Sequence, residues 1–201
     1  MFVMFSIFTF TTLPAHSASK TILVLGDSLS AEYGLMRGKG WVALLEQRLQ
    51  QKNIPATVIN ASISGDTTSG GKARLTSLLE RHHPEVVIIE LGGNDALRGL
   101  SLKASEDNFK AMIDMVKAQH SKVLLVGMRI PPNYGPDYSE RFFSLYEKLA
   151  KANKIALVPF LLEGIAEKEN LFQVDRIHPI AEAHPNILNN VWPHLQPLLS
   201  K

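Results

Sequence analysis

Four short segments of this chain carry side chains that together could perform acyl transfer. The first is Gly26-Asp27-Ser28, which closes the apolar run Thr21-Ile22-Leu23-Val24-Leu25. A serine hydroxyl is a weak nucleophile unless a base accepts its proton and donors hold the oxyanion that forms. The base could be His178 in Asp175-Arg176-Ile177-His178-Pro179. Asp175 would reach its Nδ1 if that segment turns as a helix does, fixing the tautomer and leaving Nε2 for Ser28. The oxyanion donors would be the backbone N–H of Ser28, the backbone N–H of Gly65 in Ser64-Gly65-Asp66, and the amide of Asn94 in Gly92-Gly93-Asn94-Asp95. Glycine at 65 permits φ > 0 and close approach of a substrate. Asparagine adds a neutral donor. Taken singly, each segment reads as a helix cap or a common turn; their order and their placement at strand ends argue for one site.

The elements that must position them follow from the apolar pattern. Five runs of strand length, 22–25, 57–60, 86–91, 123–128 and 155–160, are rich in β-branched residues. Val86-Val87-Ile88-Ile89 is continuous rather than alternating, as suits a parallel strand buried on both faces. Between the runs, Trp41, Leu44, Leu45 and Leu49 lie at helical spacing, and 73–81, 105–118 and 139–152 behave likewise. The stretch 187–199 reads as a terminal helix broken at Pro193 and Pro197. Strand–helix alternation predicts a three-layer α/β/α sandwich on a parallel five-stranded sheet. Ser28, Gly65 and Asn94 would then share the C-terminal edge of that sheet, where ligands bind in such folds.

Length and composition agree with a single domain. The chain has 201 residues, 45% hydrophobic and 20% charged, with a formal charge of +2, and it is large enough for a core without disulfides or metal. The scattered charge gives no argument for nucleic acid. Absence of cysteine excludes thiolate chemistry and Cys-ligated zinc. The histidines outside the Asp175 segment (His16, His82, His83, His120, His184 and His194) have no zinc-like spacing, so neither metal nor cofactor is expected. Residues 1–19 hold no charged side chain and end in the small residues Ala15, Ser17 and Ala18. Although a basic start is missing, 1–18 reads as a secretory signal peptide and 19–201 as the catalytic domain. The apolar part is too short to span a bilayer, so the expected location is periplasmic or secreted.

Gly26-Asp27-Ser28-Leu29, Gly65, Gly92-x-Asn94 and Asp175-x-x-His178 resemble the four sequence blocks of the SGNH (GDSL) hydrolases. The resemblance covers nearly all of the chain after residue 20. Gly26 to Ala31 and the tail from His178-Pro179 to Val191-Trp192-Pro193-His194-Leu195 are similar to the bacterial arylesterase, acyl-CoA thioesterase I and lysophospholipase L1 group. It implies a flavodoxin-like fold, a periplasmic location, and hydrolysis of acyl esters and thioesters, lysophospholipids among them. It also implies Ser28 as nucleophile, His178 as base, Asp175 as its orienter, and Ser28, Gly65 and Asn94 as the oxyanion hole. A monomer acting on small molecules is expected.

Two positions depart from that group. Glu32 and Arg176 stand where glycine is common. Glu32 could narrow the cleft and disfavour anionic substrates, or act as a helix N-terminal acid. Arg176 could bind a substrate phosphate or compete for Asp175. Tyr134, in a turn-rich loop after the fourth strand, could line an acyl site. Alternative readings are a carbohydrate O-deacetylase of the same superfamily and a non-catalytic flavodoxin-like binding module. Against the latter, no Gly-rich nucleotide loop is present, and no G-x-S-x-G elbow supports an α/β-hydrolase assignment.

Overall fold

The computed structural model describes residues 19–200. The expected signal peptide lies outside the described residues. Five strands form one parallel sheet in the order β2-β1-β3-β4-β5: β1 (Lys20–Gly26), β2 (Ala56–Asn60), β3 (Val86–Glu90), β4 (Lys122–Val126) and β5 (Ala156–Val158). Ile22, Leu23, Val24 and Leu25 of β1 and Val86 to Ile89 of β3 are fully buried. Their continuous apolar character reflects helices on both faces of the sheet. On one side α1 (Trp41–Gln51) packs against α6 (His184–Leu199); on the other lie α2 (Thr68–His82), α4 (Leu102–Ala118) and α5 (Pro136–Asn153). This is the expected three-layer sandwich.

Strand order places the site. The chain leaves β1 toward one edge to form β2, then returns across β1 to form β3 and proceeds to the other edge. Beyond the carboxyl ends of β1 and β3 the connections diverge, leaving the crevice of a topological switch point. Ser28 lies two residues after β1. Asn94 lies in the short helix α3 (Gly93–Leu97) that follows β3. Sequence pattern missed α3 because glycine-rich turn residues open it: Gly92 caps it at φ +99°, a conformation glycine adopts without steric cost. A Cβ there would also meet the Tyr146 hydroxyl at 2.5 Å.

One local expectation is overturned. α6 runs unbroken from His184 to Leu199 through Pro193 and Pro197. Each proline removes one backbone donor, but Ile187, Leu188, Val191, Trp192, Leu195 and Leu199 are buried along one face, and tertiary packing outweighs local propensity. α2 and α4 begin earlier than the periodicity suggested, because the side chains of Thr67 and Ser101 cap the N–H groups of Gly70 and Ala104.

Candidate active site

Ser28 sits on a tight turn made by its neighbour. The Asp27 carbonyl accepts from the N–H groups of Ser30 and Ala31 at 3.2 and 2.9 Å, and Asp27 Oδ1 accepts from Leu29 N–H at 3.1 Å. This side-chain turn presents the Ser28 hydroxyl to the crevice. Its Oγ lies 2.8 Å from His178 Nε2. His178 Nδ1 lies 2.7 Å from Asp175 Oδ2. Three side chains from opposite ends of the sequence thus form one hydrogen-bonded chain.

The Asp175 segment meets its histidine by a different turn from the one expected. It is not helical. Residues 171–180 form a small hairpin in which Gln173 N–H donates to His178 O at 2.8 Å and Ile180 N–H to Leu171 O at 2.9 Å. Arg176 at its tip takes φ +57°. Asp175 Oδ1 accepts from the N–H groups of Ile177 and His178 at 2.9 and 3.0 Å, which aims Oδ2 at the imidazole. Partial burial works against ionisation of Asp175, yet these two N–H donors and the His178 ring outweigh it and hold its carboxyl down at about 2. The ionised carboxylate can only accept. The proton therefore rests on Nδ1, and Nε2 is free to accept from Ser28.

Asn94 lies between the other two expected oxyanion donors, its amide bonded to Asp27 beside Ser28 and to Asp66 beside Gly65. Among the described residues the N–H groups of Ser28 and Gly65 have no protein acceptor. Gly65 holds φ +79°, and Arg98 Nη2 donates to its carbonyl at 2.9 Å, fixing the peptide. The Asn94 amide donates to Asp27 Oδ2 at 3.0 Å and to the Asp66 carbonyl at 2.9 Å. Beside this cluster runs a groove of about 680 Å³, with walls that include Leu97, Met128, Ile130, Phe143, Phe160 and Leu162. The Arg129 guanidinium covers the Phe143 ring at 3.8 Å.

The three further candidates separate. Glu32 is not on the groove wall; its carboxylate accepts from Gly38 N–H and from Gly40 N–H, the latter at 2.7 Å, and so closes the loop leading into α1. Tyr134, in the turn Pro132–Tyr134, also lies off the groove, whose wall there is Pro131 and Pro136. Arg176 does border the groove, with its side chain 76% exposed and 3.9 Å from Glu169 rather than on Asp175.

Several residues of the site had no strong sequence signal. The Tyr33 ring packs against His178 with centroids 4.3 Å apart and a tilt of 37°, and Gln173 Nε2 ties the Tyr33 carbonyl to the hairpin at 2.9 Å. Arg98 and Gln173 act through contacts distant in sequence. Glu90 was visible only as a carboxylate inside an otherwise apolar strand run.

A parallel three-layer sandwich with a serine, histidine and aspartate joined at its switch point is an architecture of serine hydrolases. Residues 24–185 match the model of the GDSL-like lipase/acylhydrolase family, and the chain belongs to that family. It is an ester hydrolase by descent. Esterase TesA of Pseudomonas aeruginosa is 49% identical over 187 residues, 93% of each chain. Thioesterase 1/protease 1/lysophospholipase L1 of Escherichia coli K12 is 44% identical over 184 residues, 92% of this chain and 87% of that one. A crystal structure of TesA superposes with a TM-score of 0.87 at 50% identity, over 89% of this chain and 99% of that one.

Proposed function

We propose that this enzyme cleaves acyl esters and thioesters through an acyl-enzyme on Ser28. The single observation that carries the reading is the continuous bonding from Asp175 through His178 to Ser28, at 2.7 and 2.8 Å. His178 Nε2 takes the hydroxyl proton as Ser28 Oγ attacks the acyl carbon. The oxyanion so formed lies toward the open N–H groups of Ser28 and Gly65, with the Asn94 amide sharing one of its hydrogens. Collapse expels the alcohol or thiol, which leaves with the proton from His178. A water then repeats the sequence on the acyl-enzyme, releasing the acid and restoring Ser28.

Substrate class follows from the groove. Its aliphatic and phenyl walls suit an acyl chain, with Ser28, Asn94 and His178 at the reacting end and Arg129, Ser139, Glu140 and Glu167 also bordering it. Lysophospholipids and acyl thioesters fit this division, and the names of the relatives support it. Residues 1–18 act as an export signal in this reading, placing the mature enzyme in the periplasm or outside the cell. No helix among the described residues is long and apolar enough to cross a membrane.

The test is hydrolysis of p-nitrophenyl esters of increasing chain length, before and after treatment with a serine-directed organophosphate. Turnover that the reagent abolishes supports the reading. Turnover untouched by a reagent shown to enter the site contradicts it.

A further inference from the structure

Beneath the nucleophile turn lie two carboxyls that the hydrolytic cycle leaves without a task. Glu90 ends β3 in register with Gly26 of β1, and Asp27 follows Gly26; they are 3% and 2% exposed. Two acids in one buried site cannot both ionise without a large penalty. Their contacts assign them different roles. Glu90 Oε2 accepts from the Ser30 hydroxyl at 2.7 Å and faces the Asp27 N–H at 3.4 Å. Trp41 Nε1–H donates to Ser30 Oγ at 3.2 Å, which leaves the serine proton for Glu90. Both Asp27 oxygens accept N–H groups, Oδ1 from Leu29 and Oδ2 from the Asn94 amide.

We propose that Asp27 and Glu90 are a pair of positioning residues for the oxyanion hole. Ionised Asp27 orients the Asn94 amide. Glu90, kept as the neutral acid, holds the nucleophile turn and confines the charge to Asp27. The inference rests on the assignment of Ser28 and Asn94 made above. Burial pushes both carboxyls upward. Asp27 rises to about 6, restrained by the Leu29 N–H and by His178. Burial, and next the charge of Asp27, push Glu90 well above the usual carboxylate range. The contacts place the proton on Glu90: both Asp27 oxygens accept N–H groups, whereas among the described residues only Oε2 of Glu90 accepts, leaving Oε1 to carry the proton.

The other ionisable groups around Asp27 are accounted for. His178 faces it from the hairpin. Asp66 is paired with Arg74 at 2.7 Å. The Tyr146 hydroxyl from α5 donates to Leu91 O. Asp95 in α3 is satisfied by Thr68 and Ser105. As pH falls through about 6, protonation of Asp27 loosens Asn94, so the acid limb of kcat includes a proton taken up at Asp27.

The experiment measures kcat and KM on a neutral p-nitrophenyl ester from pH 4.5 to 8.5 for wild type and variants, with Ser28→Ala as control. In Asp27→Asn, kcat falls about 10–100-fold with KM within about threefold, and the acid limb becomes shallower by the proton that Asp27 takes up. Adding Asp27→Asn to Asn94→Ala costs little more, because Asp27 acts through Asn94. Glu90→Gln, which mimics the neutral acid, stays within about threefold of wild type, whereas Glu90→Ala loses about tenfold or more. Wild-type kcat with an unchanged acid limb in Asp27→Asn overturns the proposal. So does a folded Glu90→Gln variant, judged by its melting curve, that loses more than about tenfold, as replacement of a required negative charge would. Retained turnover in Ser28→Ala would instead strike the hydrolytic reading itself.

Discussion

Glu32 and Arg176 share a left-handed backbone, φ +60° and +57°, on two loops that Gln173 joins through the Tyr33 carbonyl. A side chain in that region costs about 1–2 kcal/mol relative to glycine, which explains why glycine suits both positions. Their side chains differ in what they return. The Glu32 carboxylate collects the Gly38 and Gly40 amides, while the Arg176 guanidinium lies in solvent.

Glycine substitution should therefore separate them. Arg176→Gly relieves strain and loses little contact, so thermal unfolding should change by no more than about 1 kcal/mol, in the stabilising direction. Glu32→Gly forfeits charge-assisted bonds worth about 1.5–3 kcal/mol against a similar or smaller relief of strain. Its melting temperature should fall. Because Glu32 points at its own loop, the ratio of kcat/KM for anionic and neutral acyl esters should match wild type at low and high salt. A changed ratio would return Glu32 to substrate recognition.

Asn94→Ala should lower kcat roughly 10²–10³-fold with a smaller effect on KM, as expected when one oxyanion donor is lost. Gly65→Ala keeps its N–H, and the new Cβ meets only Arg98 Nη2, at 3.6 Å. Its cost comes from φ +79° and should appear in both stability and kcat. Arg98→Ala frees the Gly65 carbonyl and should reduce kcat without a comparable change in melting temperature. Steady-state kinetics beside thermal melts test all three.

His184 supplies a pH dependence of stability. Its Nδ1 accepts the Trp41 N–H at 3.0 Å at the start of α1, which requires the neutral ring. Burial holds its pKa below the ordinary 6.5, opposed in part by the Pro179 backbone and the charge of Glu32. Below that ordinary value the unfolded chain binds a proton that the folded one resists. The contribution is therefore complete above about pH 6.5 and is lost as pH falls toward the lower folded value. His184→Gln should show a smaller drop in Tm between pH 7.5 and 5 than wild type, on a scale of about 2–4 °C per kcal/mol for a domain of this size. Equal drops would show that His184 does not carry the effect.

The sheet and the candidate site residues at its edge were legible in the sequence for a common reason. Residues such as Val86 to Ile89 are buried on both faces, so their apolar continuity survives in one dimension, and Ser28, Gly65 and Asn94 lie beside such runs. Contacts across the fold were not legible. The Asp175–His178 pair was expected on a helical turn, but Arg176 in a left-handed conformation bends it into a hairpin. Pro193 lies inside α6 because a buried face holds that helix. Tyr33 against His178, Arg98 against Gly65, and Glu90 beneath Asp27 join residues whose nearness no local pattern encodes.

Hydrolysis through an acyl-enzyme requires a covalent bond to Ser28 Oγ. The direct measurement is mass spectrometry of the protein after reaction with a p-nitrophenyl alkylphosphonate, with peptide mapping of the adduct and release of p-nitrophenol followed in parallel. The prediction is one phosphonyl group per chain, located on the peptide containing Ser28, with stoichiometric p-nitrophenol and complete loss of esterase activity. Ser28→Ala should take up none, and His178→Ala should react far more slowly. Inactivation with the label on any other residue, or esterase turnover that persists in fully labelled protein, would contradict it.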